Sequence, residues 1–196
     1  MIIDDLNSYR IILASRSPRR RRLLRELGLK FEVADKDYSE TYPNNLSGDE
    51  IARHIAYGKA LQFKNEVSGN DILITADTIV WCNEKVLGKP IDFDDAVKML
   101  QEISGNTHEV ITGVCLLSQN KEKVFSVSSK VTFDKLTPDE IKYYVDKYKP
   151  YDKAGAYGIQ EWIGIAACSH IEGSYFNVVG LPVQRLYKEL QDFILL

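Results

Sequence analysis

Ten consecutive residues, Ile72-Leu73-Ile74-Thr75-Ala76-Asp77-Thr78-Ile79-Val80-Trp81, form the most apolar stretch of this chain. Its near-continuous apolarity predicts a strand buried on both faces, which requires a sheet covered by helices on each side. Inside it sits a carboxylate, Asp77. Burying an ionised carboxylate is costly unless it is paired, hydrogen-bonded or bound to a metal. One reading of Asp77 is a structural aspartate bonded to neighbouring backbone. The other is a functional group, since perturbed carboxylates cluster at active sites.

A second constraint lies upstream. The apolar run Ile11-Ile12-Leu13-Ala14 ends in Ser15, and Ser17-Pro18 then read as N-cap and first residue of a helix. That helix carries Leu23, Leu24 and Leu27 and meets a stop signal at Gly28. Its first turns hold Arg19, Arg20, Arg21 and Arg22. Cations beside the positive end of a helix dipole are locally unfavourable, and they make sense where a polyanion such as phosphate binds. Arg19 and Arg20 are the candidates for that role, with Arg20 on the stripe of Leu24 and Leu27. Arg21, Arg22 and Arg25 suit a solvated face.

The remaining pattern interleaves helices and strands. Ser47-Gly48-Asp49-Glu50 is a capping box opening a helix to about Phe63. Asn83-Glu84-Lys85 turns the apolar strand back into Val86-Leu87, and Asp92 caps a helix through Leu100. Residues Glu109 to Leu117 and Lys123 to Phe133 predict a hairpin, and Thr137-Pro138-Asp139-Glu140 opens a further helix. A glycine-rich segment from Lys153 to Gln160 follows, then a strand near Ile163 to Cys168, and Leu181-Pro182 starts a last helix. The antiparallel hairpin among crossover elements predicts α/β architecture with a mixed sheet. With 196 residues, the chain is read as a single domain, 1–196.

Lys59 falls within the apolar stripe of Ile51, Ala52, Ile55, Ala56, Gln62 and Phe63 on the predicted helix. A lysine there snorkels to solvent or points at an anion, and a mid-helix position makes snorkelling harder. Lys89, between Gly88 and Pro90, and Glu40, in the acidic segment after the first helix, say little alone. Together the set is coherent. Arg19, Arg20, Lys59 and Lys89 would neutralise phosphates, while Asp77 and Glu40 would hold Mg²⁺ and activate water. No P-loop and no G-x-G-x-x-G fingerprint is present.

Composition narrows the setting. A formal net charge of −3 gives no general attraction to nucleic acid or anionic membrane. Cys82, Cys115 and Cys168 lie far apart, as expected of a reducing compartment, and the expected location is cytoplasmic.

Four segments carry a resemblance: Ala14-Ser15-Arg16-Ser17-Pro18-Arg19-Arg20, Ala76-Asp77-Thr78-Ile79-Val80, Gly88-Lys89-Pro90 and the stretch from Asp152 to Gln160. In this order they resemble the Maf family of nucleotide pyrophosphatases. The resemblance implies an elongated mixed sheet in two lobes with a central cleft, as in inosine-triphosphate pyrophosphatases. It implies cleavage of a nucleoside triphosphate to monophosphate and pyrophosphate with a divalent cation, Mg²⁺ or Mn²⁺, held by Glu40 and Asp77. Asp77 corresponds to the proton acceptor, and Glu40, Lys59 and Lys89 to the other catalytic positions. Ser15, Arg19, Arg20, Thr78 and Gln160 correspond to substrate-binding positions. The form ending in Gln160 resembles the branch acting on dTTP and UTP, a house-cleaning role, whereas a glutamate there marks the 7-methyl-GTP branch. A neutral amide both donates and accepts, which suits a pyrimidine edge. Two positions depart from the pattern. Arg16 stands where a small residue is usual, and Glu161-Trp162 stand where a glycine is usual, with Trp162 read either as a base-stacking or a core residue. The family is also linked to inhibition of septum formation, so a nucleotide-binding regulator of cell division is the alternative. No nucleic-acid or membrane partner is expected, and a homodimer is left open.

Overall fold

The computed structural model describes residues 2–195. Its elements are, in order, α1 (Ile2–Leu6), β1 (Arg10–Ala14), α2 (Pro18–Glu26), β2 (Glu32–Ala34), α3 (Gly48–Leu61), β3 (Asp71–Cys82), β4 (Lys85–Leu87) and α4 (Phe93–Ile103). There follow β5 (Thr107–Leu117), β6 (Glu122–Phe133), α5 (Pro138–Tyr148), a 3-10 turn (Ala154–Ala156), α6 (Trp162–Ala167), β7 (Cys168–Glu172), α7 (Tyr175–Val179) and α8 (Val183–Leu195). The strands form one mixed sheet in the order β2-β1-β3-β5-β6-β7, with β4 paired to β3. Strands β1 and β2 run parallel, as do β1 and β3, and the remaining pairs are antiparallel.

The apolar run is β3, at the centre of the sheet, and its two faces meet different partners. Side chains alternate along a strand. Ile72, Ile74, Ala76, Val80 and Cys82 enter the large core together with Leu24 of α2, Leu100 of α4, Tyr144 of α5 and Leu186 of α8. Leu73 and Ile79 face α3, against Ala60 and Phe63 and against Ile51, Ala52 and Ile55. Thr75 on that face donates to the Ala56 carbonyl at 2.6 Å. This period of two sends Asp77 toward α3 and Thr78 to the opposite side.

Close approach of α3 depends on Gly113 of β5, the cross-strand partner of Asp77. A Cβ there would lie 2.1 Å from the Ala52 carbonyl oxygen. The β3–β4 turn uses Asn83 and Glu84 at φ 50° and 60°, the left-handed pair of a tight two-residue hairpin. Capping matches expectation. Ser17 caps α2, capping boxes open α3 and α5, and Asp92 caps α4.

One segment corrects the sequence reading. Residues Ile163 to Ala167 are helical, and the strand is displaced to Cys168–Glu172. Gly164 explains the compact turn, because a Cβ there would sit 2.0 Å from the Ile159 carbonyl oxygen. Short elements α1, β2 and α7 were beyond the periodicity argument, since each spans at most five residues.

His108 of β5 is 2% exposed, packed edge-on against Phe133 and Tyr157, with Nε2 2.7 Å from the Tyr157 hydroxyl. Burial pushes its pKa down to about 4. Its folded pKa thus lies below the ordinary value of 6.5, so the unfolded chain binds a proton first as pH falls. Stability from neutral His108 is complete above about pH 6.5 and is lost as pH drops toward 4. The full swing is about 3 kcal/mol. Urea unfolding between pH 7.5 and 4.5 is expected to show this loss, and His108→Phe is expected to flatten the slope.

Candidate active site

A cleft of about 990 Å³ opens at the carboxyl end of β1. Its walls come from the β1–α2 loop, segment 35–42, α3, β3, the Gly88-Lys89 loop, residues 152–161 and the end of α7. Ser15, Arg19, Arg20, Glu40, Lys59, Asp77, Thr78, Lys89 and Gln160 all line it. These nine residues, up to 145 positions apart in the chain, are therefore gathered around one cavity.

Lys59 organises the floor. Its Nζ lies 2.6 Å from Asp77 Oδ1 and 2.7 Å from Glu40 Oε1. Its place on the buried stripe of α3 is thus explained by two anions rather than by snorkelling. Asp77 is 7% exposed. Burial pushes its carboxyl above the ordinary range, and the charges of Lys59 and Arg20 pull against that rise without cancelling it. Glu40 goes the other way. Burial pushes it up, but the hydrogen bond and charge of Lys59, aided by Lys89 and Arg20, hold it below the usual carboxylate range. Lys89 Nζ is 3.7 Å from Glu40 Oε2 and is largely exposed. Glu40 is carried by an irregular segment that needs an anchor, and Tyr38 supplies it by packing where Gly58 of α3 leaves room. A Cβ on Gly58 would fall 1.9 Å from the Tyr38 hydroxyl oxygen.

Arg20 and Thr78 line the cleft and are also bonded to the protein around it. Arg20 donates to the carbonyls of Gly180 and Ala76, each at 2.8 Å, and to Thr78 Oγ1 at 2.9 Å. Thr78 Oγ1 also pairs with Thr112 Oγ1 at 2.9 Å and reaches the Gly180 carbonyl at 3.4 Å. Three guanidinium donors and the threonine hydroxyl are thus engaged with protein. This ties α2, β3, β5 and the end of α7 together at the cleft wall, with Arg20 a half-buried cation there. Arg21, expected on a solvated face, instead donates twice to the Ser15 carbonyl, at 3.1 and 3.0 Å. Arg22 pairs with Glu26 on the surface, as expected. Ser15 is buried and its Oγ accepts from the Ser17 amide at 3.2 Å.

Arg16, the departure in the first motif, pairs with Asp35 and with Asp37 at 2.7 Å. It thereby fixes the start of the segment that leads to Glu40. Arg19 is partly exposed and lies 3.2 Å from Asp152. Trp162 packs edge-on against Tyr143 at 5.0 Å and lies partly buried against the main core.

Several cleft residues escaped the sequence reading. Asp152 and Lys153 form an ion pair at 2.6 Å, and Lys153 also meets Glu161 at 3.1 Å. The charged doublet ahead of a glycine run was the available signal. Gln160 projects from this segment, exposed and without a hydrogen bond to any described residue. Gly155, at φ 66°, donates its amide to the Gly88 carbonyl at 3.0 Å and sits against Val80. It thereby joins the Lys89 loop to the segment bearing Gln160.

As a metal site, the cleft offers two hard carboxylates, Glu40 and Asp77, with Asp77 Oδ2 receiving no hydrogen bond from the described residues. Among those residues no group of three or more His, Cys, Asp or Glu side chains is placed to hold a metal ion. Two carboxylates completed by substrate phosphate oxygens and water match the habit of Mg²⁺.

The family profile described as Maf-like protein matches residues 10–193. A protein of Phocaeicola vulgatus called dTTP/UTP pyrophosphatase is 52% identical over 191 residues, covering 97% of this chain and 99% of that protein. A protein of Parabacteroides distasonis with the same name is 51% identical, covering 98% of this chain and all of that protein. Among solved structures, the Ham1 protein of Staphylococcus aureus aligns with a TM-score of 0.48 and 12% identity, over 63% of this chain and 71% of that one. With nearly its full length matched by the family profile, and half of its positions identical in such relatives, the chain belongs to the Maf-like protein family.

Proposed function

We propose that this protein hydrolyses dTTP and UTP between the α- and β-phosphates, giving the nucleoside monophosphate and pyrophosphate. The observation that carries the reading is Asp77. It is a buried carboxylate whose basicity burial raises, held by Lys59 through one oxygen while the other takes no protein hydrogen bond. The names of relatives about half identical over their whole length support the same substrates.

In this reading a water molecule attacks the α-phosphorus and Asp77 takes its proton. The bond from the α-phosphorus to the bridging oxygen breaks, and that oxygen leaves with pyrophosphate. A general base works best when its pKa approaches the working pH, and the burial of Asp77 moves it in that direction. Lys59 fixes the rotamer of Asp77 and limits the rise. Arg19 and Lys89, both partly or largely exposed at the cleft, meet the phosphate charge. Glu40 and Asp77 would hold a divalent cation together with phosphate oxygens, and such a cation neutralises charge on the phosphates. The cleft volume of about 990 Å³ accommodates a nucleoside triphosphate. Free cysteines at Cys82, Cys115 and Cys168 support a cytoplasmic setting, and no described helix is long and apolar enough to cross a membrane.

The deciding experiment is pyrophosphate release from dTTP with Mg²⁺. Asp77→Asn is expected to lower kcat at least ~10²-fold with the fold retained. Wild-type turnover by that variant would remove Asp77 from the mechanism.

Lys59→Met is expected to lower kcat and to move the acidic limb of the kcat/KM profile to higher pH. Without the ammonium, nothing on α3 opposes the burial that raises the Asp77 pKa. An unmoved limb would mean that a group other than Asp77 titrates there.

For selectivity, dTTP and UTP are expected to be hydrolysed well, and GTP and 7-methyl-GTP poorly. Gln160→Glu is expected to reduce kcat/KM for dTTP roughly 10- to 100-fold, because a carboxylate cannot donate to a pyrimidine oxygen. Steady-state kinetics over these nucleotides tests both statements, and a wild-type preference for the methylated guanine nucleotide would contradict them.

A further inference from the structure

Gln160 stands at the corner of a tight turn. The Glu161 amide donates to the Gly158 carbonyl at 3.0 Å, which places Ile159 and Gln160 at its two central positions. Both ends of this turn are bound to the same hydroxyl. Tyr144 accepts from the Gly158 amide at 3.0 Å and donates to Glu161 Oε2. The other carboxylate oxygen of Glu161 faces Lys153 Nζ at 3.1 Å, and Lys153 in turn pairs with Asp152.

This arrangement is anchored in the core. Tyr144 is fully buried on α5 and stacks on Tyr148 with ring centroids 5.0 Å apart. The Lys153 side chain is only 10% exposed. Gly158 leaves the space the cluster needs, for a Cβ there would lie 2.9 Å from Glu161 Cδ and 3.1 Å from Lys153 Cε. Ile159 is buried beside the turn, while Gln160 points away into the cleft. A two-residue corner held at both ends by one rigid ring has little freedom left. The amide of Gln160 is flexible about its own bonds, so the reach of that amide is set by where the turn sits.

We propose that Tyr144 and Glu161 are positioning residues for base selection, acting through the Gly158–Glu161 turn on Gln160 rather than by touching the nucleotide. The inference rests on the role given to Gln160 under the proposed function. It goes beyond that role by placing the determinant of selectivity partly in α5, behind the cleft wall. A preorganised amide loses less freedom on binding its matched base edge, whereas a loosened one accepts mismatched edges at smaller relative cost. The preference of the site therefore depends on the Tyr144 hydroxyl.

The test uses kcat/KM for dTTP and for GTP in wild type, Gln160→Ala, Tyr144→Phe and the double variant. Tyr144→Phe keeps the ring and removes only the oxygen that bridges the turn. It is expected to lower the dTTP-to-GTP ratio about fivefold or more, through a higher KM for dTTP with kcat changed less than about twofold. Adding Tyr144→Phe to Gln160→Ala is expected to leave the ratio where Gln160→Ala alone put it, because the hydroxyl acts through that amide. Glu161→Ala, at a half-buried position, is expected to reproduce the loss and serves if Tyr144→Phe does not fold. An equal fall for both nucleotides with an unchanged ratio would mean that the cluster only supports packing, and would overturn the proposal. So would an additive loss in the double variant. If Gln160→Ala itself leaves the ratio unchanged, the role assigned to Gln160 fails and this inference fails with it. If Gln160→Ala moves the ratio and neither Tyr144→Phe nor Glu161→Ala does, the inference alone fails.

Discussion

One ammonium joins three parts of this molecule. Lys59 comes from α3, Asp77 from the central strand β3, and Glu40 from an irregular segment, and their polar atoms meet within 2.7 Å. Each component would be unfavourable alone. Asp77 is buried, Lys59 lies on an apolar helix stripe, and segment 35–42 has no regular structure to hold it. Removing one partner of such a cluster leaves an uncompensated buried charge, which typically costs about 3–5 kcal/mol. Hydrophobic replacement of a buried ion pair such as Lys59–Asp77 is often neutral or stabilising. The cluster therefore reads as an expense that only chemistry justifies.

The strand period then divides the labour. Because successive side chains of β3 point to opposite faces, Asp77 and Thr78 serve different layers although they are adjacent in sequence. Asp77 meets α3, where Gly113 lets the helix come close. Thr78 meets Arg20, Thr112 and Gly180 on the other side. A one-residue slip of β3 would exchange the two and destroy both sites. Long antiparallel pairing with β5, from Leu73 through Trp81, fixes that register.

What was legible in the sequence follows from the same physics. Burial on both faces of β3 was visible because the apolar run is continuous, and the misfit charges Asp77 and Lys59 stood out against apolar surroundings. Glu40 joins Asp77 in the sequence reading as a second carboxylate, but the ammonium of Lys59 between them does not, since nothing local says that a lysine assigned to phosphate also meets two carboxylates. The helix caps were legible because Ser17, Ser47, Asp92 and Thr137 act on amides only a few residues away. Arg20 lies on the side that the helix stripe predicts, and it has protein partners that the sequence does not announce. Its acceptors are backbone carbonyls of Ala76 and Gly180, which carry no sequence signal. The strand expected near Ile163 to Cys168 fails because a run this short, of small and branched apolar residues, has no period to distinguish the two states. Tyr144 escaped notice for a different reason. Its hydroxyl acts on the chain 14 and 17 positions away, and a tyrosine on a helix stripe looks like core.

The charges lining the cleft fall into two groups by exposure. The Lys59–Asp77 pair has side chains 19% and 10% exposed, and it is part of the fixed frame. The Arg19–Asp152 pair is 31% and 60% exposed, and Lys89 and Glu40 are 56% and 40% exposed. Exposed pairs of this kind contribute roughly 0–1 kcal/mol. A phosphate chain, with more charge and more acceptors than one carboxylate, displaces such partners at little cost. The carboxylates thus orient the exposed cations, while the Lys59–Asp77 pair beneath belongs to the buried frame. The four consecutive arginines present no bare cationic surface, because Arg19 and Arg22 meet Asp152 and Glu26 while Arg20 and Arg21 donate to backbone carbonyls. The cations that remain partly exposed, Arg19 and Lys89, are thus gathered at one cavity rather than spread over the surface.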